Sequence, residues 1–228
     1  MLMLMRAEGC ADALGLGHEA DKAANAFLIE ALRRHRPDDA ILSEESPDDP
    51  ARLARARVWI VDPLDGTREY CEGRTDWAVH VGLAVDGRPA AGAVAVPALG
   101  RLFRSDRPAA PVAQRVRPLV LVSRSRPPVE AAAIAAQLGA DVAEMGSAGA
   151  KAMAVVAGEA DLYVHAGGQR EWDNCAPAAV ALGAGLHASR LDGTSLCYNR
   201  ADTRVPDLVI GRTELAERVV AFVREQAS

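Results

Sequence analysis

The sequence predicts a layered α+β / α/β sandwich in two halves, an α+β half over residues 1–107 and an α/β half over 118–228. Three observations carry that prediction. The first half gives one long amphipathic helix followed by short strands, several of them joined by tight turns. The second half alternates strand-like and helix-like segments. Only 4% of residues are aromatic against 50% hydrophobic overall, so the core is built of Ala, Val, Leu and Ile, which suits stacked layers. A chain of 228 residues is long enough for one large domain or two small ones sharing a core.

In chain order, Ala20, Ala23, Ala24, Phe27, Leu28, Ala31 and Leu32 recur at helical spacing and Pro37 closes the run, predicting a helix over 19–36. Short apolar runs at 40–42 and 58–61 read as strands, and each runs straight into acids: Glu44 and Glu45 after the first, Asp62 and Asp65 after the second. Between Trp77 and Phe103 three strands are predicted as an antiparallel meander, with Asp86-Gly87 and Leu99-Gly100 as its turns. The Pro- and Ala-rich stretch from Arg107 to Pro118 reads as a linker. Beyond it the pattern predicts strand 119–122, helix 129–138, strand 142–145, helix 148–157, strand 162–165, helix 172–182, strands 186–188 and 208–210, and a last helix from Glu214.

Composition narrows the function classes. A net charge of −5 with Lys22 and Lys151 as the only lysines offers no basic face to track a nucleic-acid polymer. Residues 1–5 are apolar, but no basic segment precedes them and Arg6 and Glu8 follow at once, which does not fit a secretory signal. No stretch reaches the roughly 18 apolar residues of a membrane span. Cys10, Cys71, Cys175 and Cys197 form no Cys-x-x-Cys pair, so neither zinc nor a disulfide scaffold is indicated, and a reduced, cytoplasmic protein is expected.

The segment Asp62-Pro63-Leu64-Asp65-Gly66-Thr67 carries the strongest chemistry. An apolar strand ending in two acids concentrates charge where the sheet opens, which is unfavourable unless a cation neutralises it. Oxygen-only ligands without nearby His or Cys select a hard ion such as Mg²⁺. Read alone, the segment also fits an Asp-Gly turn with a solvated Asp62. Its spacing differs from the Asp-x-Asp of haloacid-dehalogenase-type phosphatases, so Asp62 reads as a metal ligand and not as a covalent nucleophile. Glu44 reaches this loop if the two strands are neighbours and otherwise sits on the surface. Asp173, opening a helix after Trp172, serves either the site or the helix N-terminus.

In order along the chain, Leu42-Ser-Glu-Glu45, the segment from Trp59 to Tyr70, Val122-Ser-Arg-Ser125, Gly146-Ser147 with Lys151 one turn on, and Trp172-Asp173 form a set. Over residues 19 to the C-terminus this set resembles the inositol monophosphatase superfamily, most closely its 3′(2′),5′-bisphosphate nucleotidase branch in bacterial sulfate assimilation. The Arg68-Glu69-Tyr70 that follows Asp-Gly-Thr is what points to that branch.

The resemblance implies alternating αβαβα layers and a metal-dependent phosphomonoesterase. It assigns Glu44, Asp62, Asp65, Asp173 and the backbone carbonyl of Leu64 to two or three Mg²⁺ ions, with Mn²⁺ as a substitute and Li⁺ and Ca²⁺ as inhibitors. Asp21 and Thr67 become the catalytic pair that orients and deprotonates the attacking water. Glu44, Leu64, Gly66, Thr67, Ser123, Arg124, Ser147, Lys151 and Asp173 become substrate contacts, Arg124 holding a 5′-phosphate and His165 and Arg170 shaping the rim. The implied reaction converts 3′-phosphoadenosine 5′-phosphate to AMP and phosphate. The alternatives are an inositol, sugar or other nucleotide phosphate, or a catalytically silent paralogue that binds a nucleotide or a partner protein.

The family approaches the Asp matched by Asp21 through a longer segment than the twenty residues present here. The shortened first helix implies either a start upstream of Met1 or an apolar groove that favours a homodimer. Gly17-His-Glu-Ala-Asp21 keeps the Asp and lacks the Thr expected with it, which puts a third metal ion in doubt.

Overall fold

The computed structural model describes residues 1–8, 13–107 and 115–226; Cys10 and most of the expected linker lie outside them. The first sheet takes β1 (Ala40–Ser43), β2 (Arg57–Asp65), β3 (Ala78–Val85), β4 (Arg88–Val96) and β5 (Arg101–Arg104) in that spatial order. The second runs β7 (Asp141–Met145), β6 (Leu119–Ser123), β8 (Leu162–Arg170), β10 (Arg204–Gly211), β9 (His187–Ser189). Helices α1 (Leu2–Glu8) and α2 (Ala13–His35) cover the outer face of the first sheet, with the short α3 (Thr67–Cys71) beside them. Helices α5 (Ala148–Val156) and α6 (Glu171–Gly183) lie between the sheets, and α4 (Ala131–Leu138) and α7 (Thr213–Gln226) cover the far face. The layers therefore alternate helix, sheet, helix, sheet, helix.

Each layer follows from local chemistry. The β3–β4 hairpin turns at Asp86 and Gly87, both with positive φ (48° and 73°), as a primed turn matching the strand twist requires. Gly82 and Gly92, paired across β3 and β4, let α6 approach closely: a Cβ on either would come 2.8 Å from Ala176 N or 2.6 Å from Ala176 O. The largest apolar cluster fills the middle layer, with Ile60, Val94, Met153, Tyr163, Ala176 and Ile210 among its fully buried members. Burial at roughly 25 cal/mol per Å² of apolar surface makes this layer the main stabilising mass of the fold.

The groove beside α2 is covered by α1. Leu2 is buried with Ala20, Ala24, Leu64, Tyr70 and Trp77; the Leu2 carbonyl accepts from Tyr70 Oη at 2.8 Å, and the Arg6 guanidinium lies over both aromatic rings. Helix α2 starts well before the expected residue 19. Strand β2 continues four residues past the expected end at 61, and β8 continues to Arg170, where it pairs with Arg204. The second sheet is mixed, because β10 runs antiparallel to both β8 and β9. Among the described residues, no helix is long and apolar enough to cross a membrane.

Candidate active site

The site begins at the end of β1, where β2 runs on beside it. They run parallel, Ser43 opposite Val61, and Glu44 N donates to Val61 O at 3.2 Å, which brings Glu44 level with Asp62. In a regular strand, Asp62 and Asp65 three residues apart would face opposite sides of the sheet. The ladder instead pairs Asp62 with His80 and Asp65 with Ala78, so β2 carries one residue more than β3 across this interval. This bulge restores the parity and turns both acids to one side. Asp173, from the first turn of α6, completes the group: one carboxylate oxygen from each of Asp62, Asp65 and Asp173 lies within 4.8 Å of the others.

Asp65 is the fixed member. Its Oδ2 accepts from Ser147 Oγ at 2.5 Å and Gly149 N at 2.6 Å and lies 3.2 Å from His80 Nε2, while Oδ1 accepts, among the described residues, from Ala148 N at 3.2 Å. Burial alone would raise its pKa. His80, Ser147 and the Gly149 amide outweigh burial and hold it down to about 2. The turn presenting these donors is itself clamped: Lys151 Nζ donates to the carbonyls of Gly146 and Ser147, and Gly146 N donates to Asp76 Oδ2 at 2.7 Å. Lys151 is buried against the Tyr163 ring, and that burial pulls its ammonium down to about 8.

The remaining acids move the other way. Asp62 is buried and well above the usual carboxylate range, first through burial and then through Asp65, Glu44 and Asp173. Burial and Asp65 raise Asp173 to about 6, and Glu44, at the mouth, is raised by lost hydration and by Asp173 and Asp65. Asp21 is raised to about 8 by burial and the neighbouring Glu44 and Glu45, and its Oδ1 is a buried acceptor without a partner among the described residues. Crowded carboxylates, an orphaned acceptor and an all-oxygen donor set fit a hard divalent cation. Among the described residues, Asp62, Asp65 and Asp173 are close enough together to hold one, and Glu44 lines the cleft beside them.

Above the acids opens a cleft of about 370 Å³. Glu44, Leu64, Gly66, Thr67, Ser123, Ser147, Lys151 and Asp173 line it. Thr67 Oγ1 donates to the Leu64 carbonyl at 3.0 Å. Asp21, the expected catalytic acid, is not among the residues that line the cleft; it sits one helical turn after Gly17, where an added Cβ would come 2.8 Å from Thr67 Cγ2. Arg124 is directed elsewhere. It binds Glu69 at 2.7 Å and Glu72 at 2.6 Å and lines a neighbouring depression, because two carboxylates on and beside α3 capture its guanidinium. Arg126 is the arginine beside it in the cleft wall, together with Tyr163, His165 and Gln169. Arg170 turns toward Thr203 and Asp202 instead of the rim. Sequence reasoning missed His80 and Gln169, which sit in strands with no motif around them, and passed over Arg126 two residues from the arginine it chose.

A profile of the Inositol monophosphatase family matches residues 9–227. A 3′-phosphoadenosine 5′-phosphate phosphatase of Mycobacterium leprae is 49% identical over 92% of this chain and 83% of its own. The 3′(2′),5′-bisphosphate nucleotidase CysQ of Salmonella typhimurium is 34% identical over 78% of each chain. Among solved structures, inositol monophosphatase II of Staphylococcus aureus superposes with a TM-score of 0.76 over 90% of this chain and 81% of that one; at 20% identity this likeness concerns the fold.

Proposed function

Because this chain belongs to the inositol monophosphatase family, we propose that it is a Mg²⁺-dependent phosphatase that removes the 3′-phosphate of 3′-phosphoadenosine 5′-phosphate, giving AMP and phosphate. The observation that carries the chemistry is the Asp62, Asp65 and Asp173 cluster at the floor of a cleft whose other wall is basic and hydroxyl-rich. When bound there, Mg²⁺ supplies Lewis-acid polarisation of the phosphoryl oxygens and a water of lowered pKa. Glu44 and the Leu64 carbonyl complete its ligands in this reading. Two or three ions are expected, Mn²⁺ able to replace Mg²⁺ and Li⁺ and Ca²⁺ inhibitory.

The chain's own groups do the rest. Gly66 and Thr67, at the start of α3, offer backbone N–H groups without intrahelical partners to the phosphate. Water oxygen bonds to phosphorus as the P–O3′ bond breaks; one water proton passes to the Asp21 carboxylate, and the ribose oxygen takes a proton from solvent. Thr67 orients that water beside Asp21. Arg126 meets the 5′-phosphate, supported by its place in the cleft wall and by the ion pairs that hold Arg124 away. A cytoplasmic location belongs to the same proposal.

Phosphate release with Mg²⁺ from 3′-phosphoadenosine 5′-phosphate, 3′-AMP, 5′-AMP, inositol 1-phosphate and fructose 1,6-bisphosphate tests the reading. The bisphosphate nucleotide should lead. Preference for inositol 1-phosphate or the sugar bisphosphate overturns the substrate assignment, and release from none of them overturns the activity.

A further inference from the structure

We propose that His80 is a positioning residue that ties the two halves of the metal site together, holding Asp65 of the first sheet and the start of α6, which carries Asp173, in one geometry. The proposal rests on the metal-dependent reading above and concerns a residue that neither touches substrate nor ligates the ion.

His80 sits in β3 directly opposite Asp62 and is fully buried. Its Nδ1 lies 3.0 Å from the Trp172 carbonyl oxygen, and its Nε2 lies 3.2 Å from Asp65 Oδ2. The first contact is a hydrogen bond when Nδ1 carries the proton; the second is an ion-pair distance without hydrogen-bond geometry, so one rigid ring stands between a carbonyl and a carboxylate from different layers. The first is one residue before Asp173, the second belongs to a ligand on the opposite wall. The approach of α6 that makes this span short depends on Gly82 and Gly92, which let the helix backbone sit against β3 and β4.

The space for the ring is also specific. A Cβ on Gly149 would stand 1.9 Å from His80 Nε2, so only a bare Cα at that position of α5 admits the imidazole. Gly149 N meanwhile donates to the same Asp65 oxygen that His80 faces. With Ser147, Gly149 and His80 converging on Oδ2, the carboxylate has little freedom to rotate. Oδ1, with one donor at 3.2 Å among the described residues, is the oxygen left to face an ion. Groups behind metal ligands set ligand orientation in this way, and their removal weakens metal affinity about 10- to 100-fold.

The test is Mg²⁺ binding by substrate-free protein, measured by calorimetry and by the rise in melting temperature with Mg²⁺, for wild type, His80→Ala and His80→Asn. Both variants should bind Mg²⁺ about 10- to 100-fold more weakly, with kcat falling further than KM rises. Asn, which reaches only one of the two acceptors, should fall between Ala and wild type. A variant that melts lower yet binds Mg²⁺ like wild type reduces His80 to a packing residue and overturns the proposal. Should both variants fail to fold, the ring ¹⁵N resonances of His80 in wild-type protein decide: they should move with Mg²⁺ at the calorimetric midpoint, and unmoved resonances overturn it. Wild-type protein that binds no Mg²⁺ overturns the metal reading as well; wild-type protein that binds and turns over beside variants that bind equally well overturns the role of His80 alone.

Discussion

Asp21→Asn should make the metal-free protein more stable and the enzyme inactive. The carboxyl of Asp21 rises from 3.8 to about 8 on folding, driven first by burial and then by Glu44 and Glu45. Between those values the unfolded chain has lost the proton and the folded chain keeps it, so folding takes up a proton. Wild-type stability therefore falls as pH rises through this window, by up to about 1.4 kcal/mol per pH unit from this group. Asn cannot titrate. Sharing of charge with Glu44 and local relaxation reduce the full sum, leaving a gain for Asn of about 2–4 kcal/mol at pH 8 and close to none near pH 4. Urea unfolding in EDTA at pH 4.5, 6 and 8, followed by tryptophan fluorescence, measures the gap. A gap that does not open with pH, or an Asn variant less stable at pH 8, refutes the buried and crowded state of Asp21. The same variant should lose kcat with little change in KM if, as proposed, the carboxylate acts on the water and not on ground-state binding.

Arg126→Ala should reduce kcat/KM for the bisphosphate nucleotide about ten- to a hundredfold, from roughly 1.5–3 kcal/mol of charge-assisted contact, and scarcely change 3′-AMP; Arg124→Ala should discriminate less between the two, and steady-state kinetics on both substrates ranks them. Gly149→Ala should lower stability by about 1–3 kcal/mol in thermal melts, although Ala is the better helix former, because its methyl meets a buried ring with no room to move. Chelation with EDTA should abolish phosphate release and Mg²⁺ should restore it, with Ca²⁺ restoring little and Li⁺ inhibiting in the presence of Mg²⁺; full activity in EDTA contradicts the metal site.

The sequence revealed those elements whose signal is local. The periodic apolar face of α2, the Asp86-Gly87 turn and the strand-helix alternation after residue 118 are all written in neighbouring residues. Asp62 and Asp65 stood out because acids at a strand end are conspicuous against an apolar run, whereas Asp173 read alone fitted a helix N-terminus as well and entered the site only through the family resemblance. What was hidden depends on pairing across the chain. The reach of β8 to Arg170 is set by its partner β10, and no window of residues contains that contact. The direction of Arg124 is decided by Glu69 and Glu72, more than fifty residues earlier. His80 is unremarkable in an apolar strand until α6 and Asp65 close around it.

The acids of this site are not equivalent, and the difference begins in the backbone. The bulge at Pro63 and Leu64 turns Asp65 away from its regular alternation and toward the N-terminus of α5, where Ser147 and two amides wait. Pinned there, Asp65 is held below the usual carboxylate range, and its charge is among the forces that raise Asp62, Glu44 and Asp173. Before an ion arrives, the cluster is therefore one readily ionised carboxylate surrounded by acids that resist ionisation. A divalent cation reverses that preference, because it stabilises the charged forms of all of them at once. The energy that burial withholds from these carboxylates is regained when the ion enters, so a site unfavourable to keep charged and empty becomes favourable to fill, and the donors on Asp65 keep one ligand in place from the start.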